Sequence, residues 1–285
     1  MIICNIKGGL GNQLFQYAAA KSLALKNNTE LKLDVTSFTI DNLRDLALSH
    51  FNFTTSLATA EEIKSLLPAG TVDRVVARVK PPQMKKYYKQ PYFHYDSNFF
   101  KLPSTVYLSG YFQSEKYFKP IEQIIRTNYK INEQLINNVL DLGAQFQNEN
   151  SVAVHIRKGD YTNKEALEYH GILKPDYYVP AIGIMKDKLQ NPRFYIFSDD
   201  PSIMATQIGI EDAEVISGRK SRTAFEDLYL MSQCKHNIIA NSSFSWWAAW
   251  LNNNMSKIVI APKQWFGIKG PRDTNDLIPK EWMQL

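Results

Sequence analysis

The sequence holds only two cysteines, Cys4 and Cys234, in 285 residues. Both fall within apolar stretches far apart in the chain, which argues against a disulfide framework and for a reducing compartment. No stretch offers about 18 consecutive apolar residues, so no membrane span is predicted. Neither an Asp-x-Asp triplet, a Cys-x-x-Cys pair nor a His-x-x-x-His pair occurs, and no dedicated metal site is expected. An excess of one charge is missing too. The 33 basic residues stand against 28 acidic ones, and a net of +5 requires no nucleic acid or other polyanion as partner. The opening run Met1-Ile-Ile-Cys-Asn-Ile-Lys7-Gly8-Gly9 lacks a basic leader and a small-residue cleavage site. It reads as a first core strand and points to a cytoplasmic protein.

What is present is an ordinary globular composition, 44% apolar and 21% charged, enough for two domains of roughly 140 residues or one large one. The first 35 residues predict a β-α-β unit: an apolar strand from Ile2 to Ile6, a turn of Gly8, Gly9 and Gly11, a helix carrying Leu14, Ala18 and Leu25, and a strand ending at Asp34. The pattern is then irregular to about residue 150, with helices expected at Ala60–Leu67, Ser114–Thr127 and Asn132–Gln147 and a strand at Thr105–Tyr111. Beyond a boundary near Asn148-Glu149-Asn150, strands and helices alternate regularly from Val152 to Ile260, including helices at Ser202–Ile208 and Ser243–Leu251. Such alternation predicts an α/β fold with an open parallel sheet covered by helices.

Ligands of open α/β sheets bind outside the carboxyl ends of the strands, and the polar residues of the second half gather there. The four strands are followed by His155-Ile156-Arg157-Lys158-Gly159-Asp160-Tyr161, by Ser198-Asp199-Asp200, by Ser217 to Arg222, and by Asn241-Ser242-Ser243. Arg157 offers a planar fork suited to phosphate, and the Ser242-Ser243-Phe244 turn opens a helix whose free N–H groups favour an anion. Each has a bland alternative, a surface ion pair for Arg157 and a plain N-cap for the serines; their convergence on one rim favours a diphosphate site. His155 either packs at a strand end or meets a nucleotide, and Asp160 either braces Arg157 or serves catalysis.

In the first half, Gly9 and Gly11 open a helix and Asp34 follows about 20 residues later, a partial dinucleotide fingerprint whose third glycine is replaced by Leu14. Asn12 and Gln13 present amides to a phosphate or sugar, with Asn12 as a simple N-cap the alternative. Asp199-Asp200 before Pro201 reads as a turn rather than a metal bridge, and Trp246, Trp247 and Trp250 as core packing. The densest basic run, Lys80 to Lys89, reads as a solvated connector. Its aromatic-basic continuation to Tyr95 leaves room for peripheral contact with a membrane at its cytoplasmic face.

Three blocks resemble one family. They are Gly8-Gly9-Leu10-Gly11-Asn12-Gln13-Leu14-Phe15-Gln16-Tyr17, Val154-His155-Ile156-Arg157-Lys158-Gly159-Asp160-Tyr161, and Phe225-Glu226-Asp227-Leu228 with Asn241-Ser242-Ser243-Phe244-Ser245-Trp246-Trp247. The chain resembles glycosyltransferase family eleven, the bacterial and animal galactoside α-1,2-fucosyltransferases, over nearly its whole length. The resemblance implies a GT-B-like fold of two Rossmann-like halves facing a cleft, an acceptor-side domain over 1–149 and a GDP-fucose-binding domain over 150–285. It also implies GDP-β-L-fucose as donor, no metal or other cofactor, inversion at the anomeric carbon, and a galactose-terminated glycan as acceptor, such as a surface polysaccharide or lipopolysaccharide precursor. By motif matching Arg157 holds the β-phosphate, Asp227 accepts from guanine, Ser242 and Ser243 hold the diphosphate, and Asn12 meets the donor. Gly9, Gly11, His155, Lys158, Asn241 and Phe244 complete the expected donor site. The block from His155 to Asp160 resembles the H-x-R-R-x-D motif of fucosyltransferases, and Lys158 stands in place of its second arginine, which keeps a charge but loses the fork.

The catalytic set expected is Arg157, Asp160, Glu165 and Asn12, with Asp160 and Glu165 the two candidates for a base. Fucose transfer to another hydroxyl remains an alternative within enzymes. Outside that class stand a dinucleotide-dependent oxidoreductase and a non-catalytic nucleotide- or glycan-binding protein.

Overall fold

A computed structural model describes residues 1–40, 45–157, 164–200, 208, 210 and 212–285. The chain forms two compact units, Met1–Lys130 with Asp273–Leu277, and Ile131–Arg272 with Ile278–Leu285.

Unit 1 runs through β1 (Ile2–Asn5), α1 (Leu10–Lys26), β2 (Leu31–Asp34), α2 (Ser37–Ile40), β3 (Ser56–Leu57), α3 (Ala60–Leu66), α4 (Thr71–Val79), β4 (Tyr87–Lys89), β5 (Val106–Ser109) and α5 (Glu122–Asn128). Its strands form one parallel sheet in the order β3-β2-β1-β5-β4. β1 lies in the middle with Ile2 opposite both Leu31 and Val106, and its Ile2, Ile3 and Cys4 are buried, as an interior parallel strand requires. α1 buries 12 of its 17 residues, so it is a core helix rather than a surface one. On either side of β5 in the chain, Phe99 and Phe112 each meet Tyr117 edge to face, with ring centres 4.8 and 5.4 Å away, and lie tilted against one another at 5.5 Å.

Unit 2 contains α6 (Leu140–Asn148), β6 (Ser151–Ile156), α7 (Lys164–His170), α8 (Pro175–Lys188), β7 (Arg193–Ser198), β8 (Glu214–Val215), α9 (Ala224–Gln233), β9 (His236–Ile238), α10 (Ser243–Leu251), β10 (Val259–Ala261) and β11 (Met283–Gln284). Six parallel strands lie in the order β11-β10-β9-β6-β7-β8. Val152, Val154, Ile156, Ile196 and Ile238 from the sheet meet Tyr178, Ala181, Ile182 and Met185 of α8 in one core. Trp246, Trp247 and Trp250 are buried on α10, and Trp282 lies 5.4 Å from Trp246. These tryptophans are core, as their spacing suggested.

The helix expected over Ser114–Thr127 begins only at Glu122. Pro120 has no N–H to close an i→i−4 bond, and two 3-10 turns precede the helix instead. The helix expected from Asn132 starts at Leu140, because the Asn132 side chain accepts the Gln134 N–H and turns the backbone there. The helix expected at Ser202–Ile208 lies outside the described residues apart from Ile208. α4, α7, β3, β4 and β11 were not anticipated by the periodicity, because most are too short to show one.

Each sheet has a topological switch point, where the chain leaves one side of a central strand and returns on the other. In unit 1 it lies between β1 and β5; in unit 2 between β6 and β9.

Candidate functional site

The switch point of unit 2 is lined by the residues after β6 and β9. His155, at the end of β6, is buried, and its Nδ1 has no hydrogen-bond partner among the described residues. Tyr178 of α8 donates to the His155 carbonyl at 3.2 Å, and the His155 ring lies 5.8 Å from Phe244 on α10. Burial first, and then the Arg157 charge, push the His155 imidazole down to about 3, so it is neutral at ordinary pH. His170, at the end of α7, is lowered by the same two causes, so the Arg157 charge reaches both rings. Arg157 itself is half-buried.

Across the switch point, Ser242 caps α10 and accepts the Phe244 N–H at 3.3 Å, which leaves Ser243 in the first turn. Asn241 is engaged in structure. Its Nδ2 donates to the carbonyls of His170 at 2.8 Å, Trp265 at 3.1 Å and Gly171 at 3.3 Å, tying the end of β9 to α7.

Asp227, in the first turn of α9, accepts from Ser217 at 2.8 Å and from Ser221. Ser217 in turn accepts the Ser198 N–H at 3.1 Å. Burial raises the Asp227 carboxyl, opposed by the Ser221 and Ser217 hydroxyls. Each of its oxygens has one side-chain hydroxyl donor among the described residues, and a carboxylate oxygen can accept more than one hydrogen bond. Neighbouring Glu226 is committed to the helix start instead, forming with Thr223 the capping box that opens α9.

Among the four expected catalytic residues, Asp160 lies outside the described residues, as does Lys158 of the donor set. Glu165 is exposed in the first turn of α7 and makes no hydrogen bond or ion pair among the described residues. No group of three or more His, Cys, Asp or Glu among the described residues could hold a metal ion.

The switch point of unit 1 is built on the glycine turn. Gly8 has φ +77°, which favours glycine, and a Cβ there would stand 3.0 Å from Asn12 Nδ2 and push on that amide. Gly9 is the N-cap of α1 without a side-chain cap, and Gly11 lies buried in its first turn. Gln13 is bracketed by backbone: it donates to Gly8 O and Asp45 O and accepts from Ala47 N, all at 2.9 Å. It is therefore a structural residue.

Asn12 is half-buried, and its Oδ1 accepts from Gln113 Nε2 at 2.5 Å while its Nδ2 makes no hydrogen bond among the described residues. Gln113 is buried, and its Oε1 has no hydrogen-bond partner among the described residues. The backbone that delivers it is strained: Phe112 has φ +52°, and Gln90 Oε1 holds the turn by accepting the N–H groups of Tyr111 and Phe112 at 2.9 and 3.0 Å. Lys7 Nζ stands 5.2 Å over the Tyr111 ring; burial, then the Lys89 charge, lowers its pKa. Gln113 escaped the sequence reading, although it follows a strand end. The strand-end rule applied to the second half would have found it in the first.

Asp34 is not available to a ribose. Its Oδ1 accepts from Thr36 N and Oγ1 at 2.9 and 2.7 Å, and its Oδ2 from Tyr107 at 2.5 Å. The partial dinucleotide fingerprint is a structural turn.

Residues 1–285 match the sequence profile of Glycosyl transferase family 11. The chain belongs to glycosyltransferase family 11. Family 11 relatives include the Alpha-1,2-colitosyltransferase of Escherichia coli, 31% identical over 296 residues, covering 100% of this chain and 99% of that one. The O-antigen biosynthesis glycosyltransferase WbnK of Escherichia coli is 35% identical over 305 residues, covering 98% and 99%. The Galactoside 2-alpha-L-fucosyltransferase of Caenorhabditis elegans is 30% identical over 190 residues, covering 61% and 51%. Among solved structures, NodZ alpha-1,6-fucosyltransferase soaked with GDP-fucose matches with a TM-score of 0.52 at 16% identity, covering 88% of this chain and 91% of that one. A FUT1 variant of Arabidopsis thaliana in complex with GDP matches at 0.50 and 11% identity, covering 90% and 69%. This family 11 enzyme thus has a GT-B-like α/β fold with two parallel sheets.

Proposed function

We propose that this family 11 glycosyltransferase moves L-fucose from GDP-β-L-fucose to the 2-hydroxyl of a terminal galactose in a surface-polysaccharide or lipopolysaccharide precursor, with inversion. The observation that carries the reading is the switch point of unit 2, where Arg157, neutral His155 and the N-terminus of α10 adjoin one crevice position. In the proposed reaction the acceptor oxygen attacks the anomeric carbon. The bond from that carbon to the β-phosphate oxygen breaks, and its electron pair leaves with GDP. Negative charge grows on the phosphate, where a fixed guanidinium and helix N–H groups stabilise the transition state by a few kcal/mol per donor, on the order of 3. The acceptor proton passes to a carboxylate, for which Asp160 and Glu165 are the candidates. His155, held neutral, adds no charge to repel the Arg157 guanidinium.

Asp227 serves as guanine acceptor in this reading, with Ser217 and Ser221 orienting its two oxygens. In unit 1, Asn12 donates from Nδ2 to the sugar nucleotide, and Gln113 acts as a positioning residue. By filling Oδ1 it fixes the orientation of the Asn12 amide so that the donor end is presented.

A second reading of the donor is favoured by the colitosyltransferase relative, which is similar over the full chain. Colitose is fucose without its 3-hydroxyl, so the two sugars differ by one hydrogen-bonding group. A site that bonds that hydroxyl discriminates strongly, and one that leaves it free does not. The test is GDP release from purified protein in EDTA, given GDP-fucose or GDP-colitose with a panel of β-galactosides, followed by linkage analysis. Acceptor-dependent release from GDP-fucose with an α-1,2 product is expected. Release from GDP-colitose alone would move the donor to the second reading, and a product of another linkage would remove the 2-hydroxyl.

A further inference from the structure

The segment 71–89 of unit 1 is built unlike the rest of the chain. α4 buries none of its nine residues. Its valines recur at 72, 75, 76 and 79, a spacing that puts all four on one arc of the helix. They are 76%, 54%, 41% and 77% exposed. The one half-buried residue, Ala77, lies on the opposite side, and Lys85 Nζ donates to the carbonyls of Ala77 at 2.6 Å and Arg78 at 2.8 Å. The helix is thus fastened by its polar side and its C-terminal carbonyls, with the apolar face turned to solvent. Met84, just beyond it, is also largely exposed.

Charge sets the same segment apart. Residues 71–89 contain Arg74, Arg78, Lys80, Lys85, Lys86 and Lys89 against Asp73 alone, a net of +5. The whole chain has 33 basic and 28 acidic residues, also +5, so the remaining 27 and 27 cancel. Arg74, Arg78, Lys80, Lys86 and Lys89 make no ion pair among the described residues.

We infer that this segment docks the protein on an anionic phospholipid surface, with the α4 valines and Met84 entering the boundary between headgroups and acyl chains and the basic residues meeting lipid phosphates. A surface helix with an apolar arc, a basic polar side and too little length to span is the physical form of such an anchor. The chemistry disfavours the other occupants. A second copy seated on the valines would bring +5 against +5, and a nucleic acid would use the cations but leave the valine arc in water. The inference goes beyond the proposed transfer reaction, and its readout needs no turnover.

Flotation of the full purified chain with vesicles of phosphatidylcholine alone, or mixed with phosphatidylglycerol, tests it. The protein should float with the anionic vesicles, at least about tenfold less with the neutral ones, and be released by salt of about 0.5 M. Val72→Asp with Val79→Asp, and separately Arg74→Glu with Arg78→Glu, should each lower anionic-vesicle binding at least about tenfold, while melting temperature and turnover of a soluble acceptor stay unchanged. No association with anionic vesicles would overturn the inference, as would binding that neither variant weakens. A dimer in solution that the valine variant returns to monomer, without vesicle binding in the parent chain, would assign the face to a second copy instead.

Discussion

The two parallel sheets meet the same topological demand with different chemistry. At the switch point of unit 2 the polar groups are an arginine, a neutral histidine and a capped helix N-terminus, all suited to growing negative charge. At that of unit 1 they are a glycine turn and a pair of amides, Asn12 and Gln113, with Lys7 the nearby cation, its charge disfavoured by burial. Charge stabilises a charge-separating transition state, whereas amides orient. If both positions serve one transfer reaction, losses in unit 2 should fall on the chemical step, and losses in unit 1 should be smaller and depend on one another.

The largest effect expected is for Arg157→Ala, which should lower the turnover number at least about a hundredfold, a loss of about 3 kcal/mol of transition-state stabilisation. Steady-state GDP release measures it, and near-normal turnover would remove the contrast between the units. Asn12→Ala should cost about thirtyfold in kcat/KM and Gln113→Met about tenfold, within the usual worth of single hydrogen bonds to a reacting ligand. The double variant decides whether Gln113 works through Asn12. With no loss beyond Asn12→Ala it does, and additive losses would show that it touches the ligand or only the fold. Gln113→Glu sharpens this, since only a protonated carboxyl can donate to Asn12 Oδ1; its turnover should recover as pH falls.

Asp227→Asn should weaken GDP binding about tenfold by calorimetry and narrow the preference for GDP over UDP, with turnover at saturation less affected. The last effect concerns stability rather than turnover. The folded-state pKa of His155, about 3, lies below its ordinary 6.5, so the unfolded chain binds more protons between these values. The contribution is therefore complete above about pH 6.5 and lost as pH falls toward 3. His155→Gln should flatten that part of the unfolding curve, and an unchanged acid slope would place the titration elsewhere.

The second half was more legible because β6 and β7 run six residues and α8, α9 and α10 run 14, 10 and 9, long enough to show a period. α10 occupies Ser243–Leu251 as expected, and β6, α8, β7 and α9 lie within one residue at each end of the ranges that their periods predict, Val152–Ile156, Asp176–Leu189, Phe194–Phe197 and Thr223–Cys234. The first half was less legible, since its strands run two to four residues and its helix starts are broken by Pro120 and by the Asn132 turn. Within the candidate site, the residues after each strand of unit 2 could be named from order alone. What each does could not: Ser242 caps a helix, Asn241 is committed to three carbonyls, and Gln13, read as a ligand amide, is committed to backbone.

The α/β class, the glycine turn before α1, the polar run after each strand of the second half and the family blocks can be read from residue order, because these depend on local period and local chemistry. Folding set which strands are neighbours and so where the switch points lie. It paired Asn12 with Gln113 across 101 positions and turned the valines of α4 outward. Both outcomes depend on contacts between residues far apart in the chain, and the period of a helix tells which residues share a face without telling what that face meets.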